Sequence, residues 1–187
     1  MDTDIATSYS PAEGFQPLAL AILTVSDTRS VAEDRSGQTL AELAELAGHR
    51  VIERALVTDD LYAIRAVVSR WIADPAVQVV LTTGGTGVTG RDGTPEAVTV
   101  LLDKRLDGFG EVFRQLSFAE VGSSSLQSRA LAGVANRTYV FCLPGSTGAC
   151  RLAWEQLIRA QLDLRTRPCN LAQLLPRLGT LDRPPAP

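Results

Sequence analysis

The sequence predicts an α/β domain with a mostly parallel sheet and helices on both faces. Short, nearly continuous aliphatic runs recur at residues 18–25, 51–57, 77–82 and 138–143, as expected of strands buried on both sides. Between them lie stretches whose apolar residues step by three and four, the mark of amphipathic helices. Strands alternating with helices imply parallel pairing through right-handed crossovers. With 187 residues, 45% hydrophobic and 21% charged, the chain suits one domain with a sizeable core. The same composition excludes wholesale disorder, collagen and coiled coil.

Residues 1–17 mix Ser, Thr, Pro, Gly and acids without periodicity and read as a mobile tail. They carry neither a basic region nor an apolar core of the kind a signal peptide needs, so a cytoplasmic location is expected. The first strand, 18–25, stops at Ser26-Asp27-Thr28, and a charged loop follows. Gly37, Leu40, Leu43, Leu46 and Ala47 mark a helix ended by Gly48. The second strand, 51–57, leads to Thr58-Asp59-Asp60, placed where a helix cap belongs, before the apolar face of Leu61, Ile64, Val67, Val68 and Trp71. Asp74-Pro75 closes that helix.

The third strand, 77–82, runs into a loop holding five of the 15 glycines, from Gly84 to Gly93. Thr94-Pro95-Glu96 then opens a helix, with Thr as expected N-cap, Pro in the first turn and an acid at the positive dipole end. Phe109, Val112, Phe113 and Leu116 predict a helix over 108–118. A polar spacer at 122–125 and a short helix at 126–132 are expected next. The strand at 138–143 ends at Pro144-Gly145-Ser146-Thr147-Gly148, and a long helix runs from about 149 to 164. The main domain is thus read as 18–164. Residues 165–187, with five prolines, read as an irregular Pro-rich arm.

The rare residues limit the chemistry. Cys142, Cys150 and Cys169 are widely spaced with no C-x-x-C, and His49 is the only histidine, which argues against a disulfide framework and against zinc. His49, beside Gly48, reads as a turn residue, and Trp71 and Trp154 as core. A net charge of -3 gives no general attraction to nucleic acid or to an anionic membrane, and no apolar run approaches the ~20 residues of a spanning helix. Reaction chemistry must lean on carboxylates, hydroxyls and backbone.

In open α/β sheets, ligands sit at the carboxyl ends of the strands. The loop from Gly84 to Glu96 combines glycines whose amides can converge with a following helix N-terminus, a pattern that holds anions. Arg91 adds a bidentate phosphate donor. Gly85, Gly87 and Gly90 satisfy G-x-G-x-x-G, but the helix does not begin inside the motif and the loop follows the third strand rather than the first. A P-loop fails because Arg91 and Asp92 replace the Lys and Ser/Thr. Asp92 beside phosphates points to a bridging Mg²⁺, with an Asx turn or an Arg91 ion pair as the plainer reading. For Asp59 and Asp60 a helix cap is the plainer reading. Pro144-Gly145-Ser146 forms a second small-residue loop before a helix, and Ser26-Asp27 ends the first strand.

Gly84-Gly85-Thr86-Gly87, Arg91-Asp92 and Thr94-Pro95-Glu96-Ala97 together resemble the signature of the molybdopterin-binding, MoaB/Mog-like family of molybdenum cofactor biosynthesis. Ser26-Asp27, Asp34-Arg35-Ser36-Gly37, Asp59-Asp60, Gly108-Phe109-Gly110-Glu111, Ser128-Arg129 and Leu143-Pro144-Gly145-Ser146 fall in that family's order. The stretch from Cys150 to Trp154 and that from Arg165 to Asn170 look most similar to its bacterial protein B branch.

The resemblance implies a three-layer α/β/α fold, a trimer or a dimer of trimers, and a molybdopterin-binding domain over 18–164. It implies adenylylation of molybdopterin by Mg-ATP with release of pyrophosphate, hand-over to a molybdenum insertase, and no zinc, haem or NAD. Asp59 and Asp92 match the family's two essential aspartates, with Asp92 the Mg²⁺ ligand. Ser26, Asp27, Gly84, Gly85, Thr86, Gly87, Arg91, Thr94, Pro95, Glu96, Ser128, Arg129, Pro144, Gly145 and Ser146 are the expected substrate and nucleotide contacts. The alternatives are a non-catalytic molybdopterin binder or scaffold of the same fold and, more remotely, an NAD(P)-binding oxidoreductase.

Overall fold

A computed structural model describes residues 14–178. The tail expected over 1–17 and the arm expected over 165–187 therefore fall partly outside the described residues. Six strands form one sheet in the order β2-β1-β3-β6-β5-β4. They are β1 (Ala19–Val25), β2 (Arg50–Val57), β3 (Val79–Thr83), β4 (Lys104–Arg105), β5 (Leu131–Ala135) and β6 (Thr138–Leu143). The first four in that order pair in parallel, while β5 and β4 run antiparallel at the edge. The helices are α1 (Arg35–Leu46), α2 (Leu61–Ala73), α3 (Thr94–Thr99), α4 (Asp107–Val121) and α5 (Thr147–Ala153), the last continued by a π-helical stretch, Trp154–Ile158, and a final turn, Arg159–Gln161.

The two-residue period of a strand divides the core into two layers. In β1, Leu20 and Ile22 join α1, Phe113 of α4 and Trp154 on one face of the sheet. Ala21, Leu23 and Val25 point the other way, into Ile64, Val68 and Trp71 of α2 and Ala97 and Val98 of α3. Both sides of the central strands are therefore covered, which is why those runs are apolar without alternation.

Residues 126–132 do not form the expected short helix. A 3-10 turn, Gly122–Gln127, gives way to β5, which pairs with β6 from Leu131 opposite Cys142 to Ala135 opposite Thr138. The hairpin closes through Asn136 and Arg137, both at positive φ, 43° and 71°, the twist a two-residue hairpin turn requires. A run of small residues has little intrinsic preference, and the waiting edge of β6 decides its state.

His49 is buried. Its Nδ1 accepts a hydrogen bond from the Leu18 amide at 3.2 Å, which ties the start of β1 to the turn after α1. After the last helix, Ala172 is buried in the first core layer and the Tyr139 hydroxyl donates to the Leu171 carbonyl at 2.8 Å, so the described part of the C-terminal segment packs on the sheet.

Candidate active site at the carboxyl edge of the sheet

Three loops leave the carboxyl ends of neighbouring parallel strands: one after Val25 of β1, one after Thr83 of β3 and one after Leu143 of β6. They meet through glycine. Gly84, at φ +100°, donates its N–H to the Leu143 carbonyl at 3.0 Å, and a Cβ there would lie 2.1 Å from the Val25 carbonyl oxygen. Gly145 packs against the Gly84 Cα. Thr94, buried at the start of α3, donates its hydroxyl to the Gly84 carbonyl at 2.9 Å and its amide to that of Gly85 at 3.0 Å. Thr94 is the first helical residue and Gly93 the cap, so the threonine expected as N-cap pins the glycine loop instead.

Arg29 grips the third loop, with both terminal nitrogens 3.2 Å from the Gly145 carbonyl and Nη1 3.2 Å from the Ser36 hydroxyl. Ser146 accepts from the Ala149 amide at 3.2 Å and caps α5. The loops surround a cavity of about 620 Å³ lined by Ser26, Gly84, Gly85, Thr86, Gly87, Asp92, Ser128, Pro144, Gly145 and Ser146, facing Phe113, Ser117, Glu120 and Val121 of α4. A volume of that size suits a small organic ligand. A larger cavity, about 1000 Å³, lies at the other end of the strands beside Leu18, Val77 and Thr138. Among the described residues lining it, Asp74 is the one carboxylate, and no glycine loop opens there, so the smaller cavity is the candidate site.

The acids separate by role. Asp60 caps α2, its carboxylate accepting from the Tyr62 and Ala63 amides at 3.0 and 2.8 Å. Asp59 is thereby left to turn towards the glycine loop, where Oδ1 accepts from the Gly93 amide at 3.0 Å and Oδ2 lies where a Gly85 Cβ would come within 2.7 Å. Partial burial raises the Asp59 carboxyl above the usual carboxylate range, against the pull of the Gly93 N–H, with Asp92 and Asp27 adding to the rise.

Asp92 is held below that range, first by the Thr89 hydroxyl at 2.6 Å and then by the Thr89 amide at 2.8 Å and the Gly87 N–H. Asp27 forms a two-point ion pair with Arg91, Nε and Nη2 at 2.8 and 2.7 Å, and accepts from the Asp59 amide at 2.9 Å. Two carboxylates with opposite perturbations beside a cavity are a recurrent catalytic arrangement.

Asp60→Ala should lose about 1 kcal/mol of stability through the lost cap, read as a lower urea midpoint with an unchanged slope.

Burial pushes the Cys142 thiol up to about 12 and that of Cys150 to about 11, so neither offers a thiolate nucleophile at neutral pH.

Residues 21–164 match the family described as "Probable molybdopterin binding domain". The chain belongs to this family. The chain is 59% identical over 156 residues to molybdenum cofactor biosynthesis protein B of Escherichia coli K12, covering 83% of this chain and 92% of that one. It is 50% identical over 142 residues to the protein of the same name from Bacillus cereus, covering 75% and 84%. Among solved structures, a molybdenum cofactor biosynthesis protein B superposes with a TM-score of 0.80 at 43% identity, over 89% of this chain and 98% of that one.

Within the domain, most of the residues singled out from the sequence line the cavity, and seven do not: Asp27, Asp59, Arg91, Thr94, Pro95, Glu96 and Arg129. Arg91 is turned to Asp27. Glu96 pairs with Arg129. Pro95 is buried at the start of α3 and borders a separate groove beside α4. Arg129 is engaged by the glycine loop itself. The Asp27, Asp59 and Arg91 cluster adjoins Asp92 without lining the cavity.

Sequence reasoning missed Arg29, Thr28 and the α4 wall of Ser117, Glu120 and Val121. An arginine two residues beyond Ser26-Asp27 was a usable signal for the first. Nothing local signals the wall, because α4 is placed by Phe109 and Phe113 packing into the core.

Proposed function

We propose that the domain adenylylates molybdopterin, joining its terminal phosphate to AMP from Mg-ATP and releasing pyrophosphate. The observation that carries this reading is the placement of Asp59 and Asp92 at one glycine-rich edge, Asp92 lining the cavity and Asp59 held by the amide of the next residue, Gly93, with their acidities pushed apart. In the reaction a phosphate oxygen of the pterin attacks the α-phosphorus of ATP. A new P–O bond forms there, the bond to the bridging oxygen breaks, and pyrophosphate leaves with the electron pair. Such a transfer demands alignment and charge neutralisation more than covalent catalysis.

The chain supplies both. The Gly84 to Gly87 backbone and the hydroxyls of Ser26, Ser128 and Ser146 line the pocket for phosphate oxygens. Asp92, held ionised, suits a hard cation that arrives with ATP. Among the described residues no set of three or more His, Cys, Asp or Glu could hold a metal alone, which fits Mg²⁺ shared between one or two carboxylates and substrate phosphates. When bound, Mg²⁺ would neutralise charge developing on the phosphates. Asp59, held by the Gly93 amide next to Asp92, orients the attacking phosphate or takes its proton.

Mixing the purified chain with molybdopterin, ATP and Mg²⁺ and measuring pyrophosphate tests the reading. Stoichiometric release supports it. Pterin binding without release would instead make the protein a binder or scaffold in the same pathway.

A pH profile adds a second check. Since burial raises Asp59, a rate that needs it ionised should fall on the acid side with a midpoint above the ordinary 3.8. The sign for stability runs the other way. A carboxyl whose value is raised by folding contributes stability below its unfolded value and loses it as pH rises through the folded one. Asp59→Asn should therefore melt no lower than the unmodified chain at neutral pH while its acid limb disappears.

A further inference from the structure

Arg129 precedes β5, yet its hydrogen bonds go to the glycine loop. Its Nε donates to the Gly87 carbonyl at 2.6 Å, Nη2 to the Asp92 carbonyl and Nη1 to the Glu96 carboxylate, while its own amide donates to the Thr86 carbonyl at 3.1 Å. In a planar trans peptide the C=O of one residue and the N–H of the next point in opposite directions. One of the four acceptors therefore has a mechanistic counterpart. The peptide joining Asp92 to Gly93 offers its oxygen to Arg129 and its N–H to Asp59. The carbonyl that Nη2 holds is Asp92's own, so the same contact also fixes the backbone of Asp92, while Nε holds the loop one turn earlier at Gly87.

We propose that Arg129 is a positioning residue for both aspartates: by holding the carbonyl of the peptide between Asp92 and Gly93 it fixes the backbone of Asp92 and aims the Gly93 amide at Asp59. A guanidinium can do this because its fork of five N–H donors lies in one plane and reaches several acceptors at fixed angles. Three nitrogens are already committed to the protein, so the side chain acts as a brace for the loop and not as a phosphate clamp. Charge on the guanidinium also polarises the peptide it grips, strengthening the N–H on the other side. A lysine has one nitrogen and no planar fork, so it would reach one or two of these acceptors.

The kinetic arm of the test rests on the adenylyl-transfer reading, and a spectroscopic arm does not. In Arg129→Gln and Arg129→Lys, amide hydrogen exchange at Gly93 should quicken by about tenfold or more, while that at Leu81 and Val140 in the sheet stays as it was. Pyrophosphate release should show kcat lowered by roughly 10- to 100-fold with KM for ATP changed by less than about threefold, and Arg129→Lys should recover part of the loss.

Unaltered exchange at Gly93 in Arg129→Lys, which keeps the charge should the glutamine variant fail to fold, would overturn the proposal. So would a KM increase with kcat preserved, the mark of a direct ligand contact. If the unmodified chain releases no pyrophosphate, the adenylyl-transfer reading fails and the exchange measurement still decides the role of Arg129.

Discussion

Asp92→Asn is expected to abolish most pyrophosphate release, by roughly 100-fold or more, with the melting temperature nearly unchanged. The amide oxygen of the replacement can still accept from the Thr89 hydroxyl and amide, which hold the native carboxylate at 2.6 and 2.8 Å, so the loop keeps its shape. What disappears is the negative charge beside the cavity. Folding lowers the Asp92 carboxyl, so its contribution to stability is present above the usual carboxylate value and is lost as pH falls through the folded one. The variant should accordingly show a weaker loss of stability on acidification than the unmodified chain. Pyrophosphate release by Asp92→Asn at the unmodified rate would remove Asp92 from the mechanism, whatever the pterin affinity.

Gly84→Ala should have the largest effect on folding. Two costs fall on one residue: a backbone at φ +100°, disfavoured for any residue with a Cβ, and a methyl group 2.1 Å from the Val25 carbonyl oxygen. The obstacle is backbone of a central strand and cannot swing away. A loss on the order of 3–5 kcal/mol follows, measurable as a shift of the urea midpoint, and pterin binding should go with it because the loops after β1, β3 and β6 meet at this glycine. Gly90, in the same loop, is the matched control. A Cβ there meets nothing within 4 Å, so Gly90→Ala should cost less than about 1 kcal/mol. Equal losses in the two variants would show that loop flexibility, and not the close approach at Gly84, sets the requirement.

Much of the framework was legible because it is local. The four parallel strands announce themselves as aliphatic runs covered on both faces, and α1, α2 and α4 through apolar residues at helical spacing. The antiparallel edge was not legible. Residues 126–132 lack a periodic pattern, and β5 exists because β6 offers it hydrogen-bond partners and the turn at Asn136 and Arg137 returns the chain. The N-cap of α3 was misplaced by one residue since Thr94 has a long-range partner, the Gly84 carbonyl, that outbids its capping role.

The site divides along the same line. By itself the sequence determined the α/β layering, the position of the glycine loops at strand ends, and membership of a family whose signature residues stand in order along the chain. Only the tertiary structure decided that Asp60 is the cap and Asp59 the acid turned to the site, that Arg91 pairs with Asp27, and that Arg129 braces the loop. Caps and periodic faces depend on neighbours a few residues away and can be read from spacing. The pairing of Asp27 with Arg91 spans 64 positions and that of Arg129 with Asp92 spans 37, so their geometry exists only once the sheet has set three loops side by side.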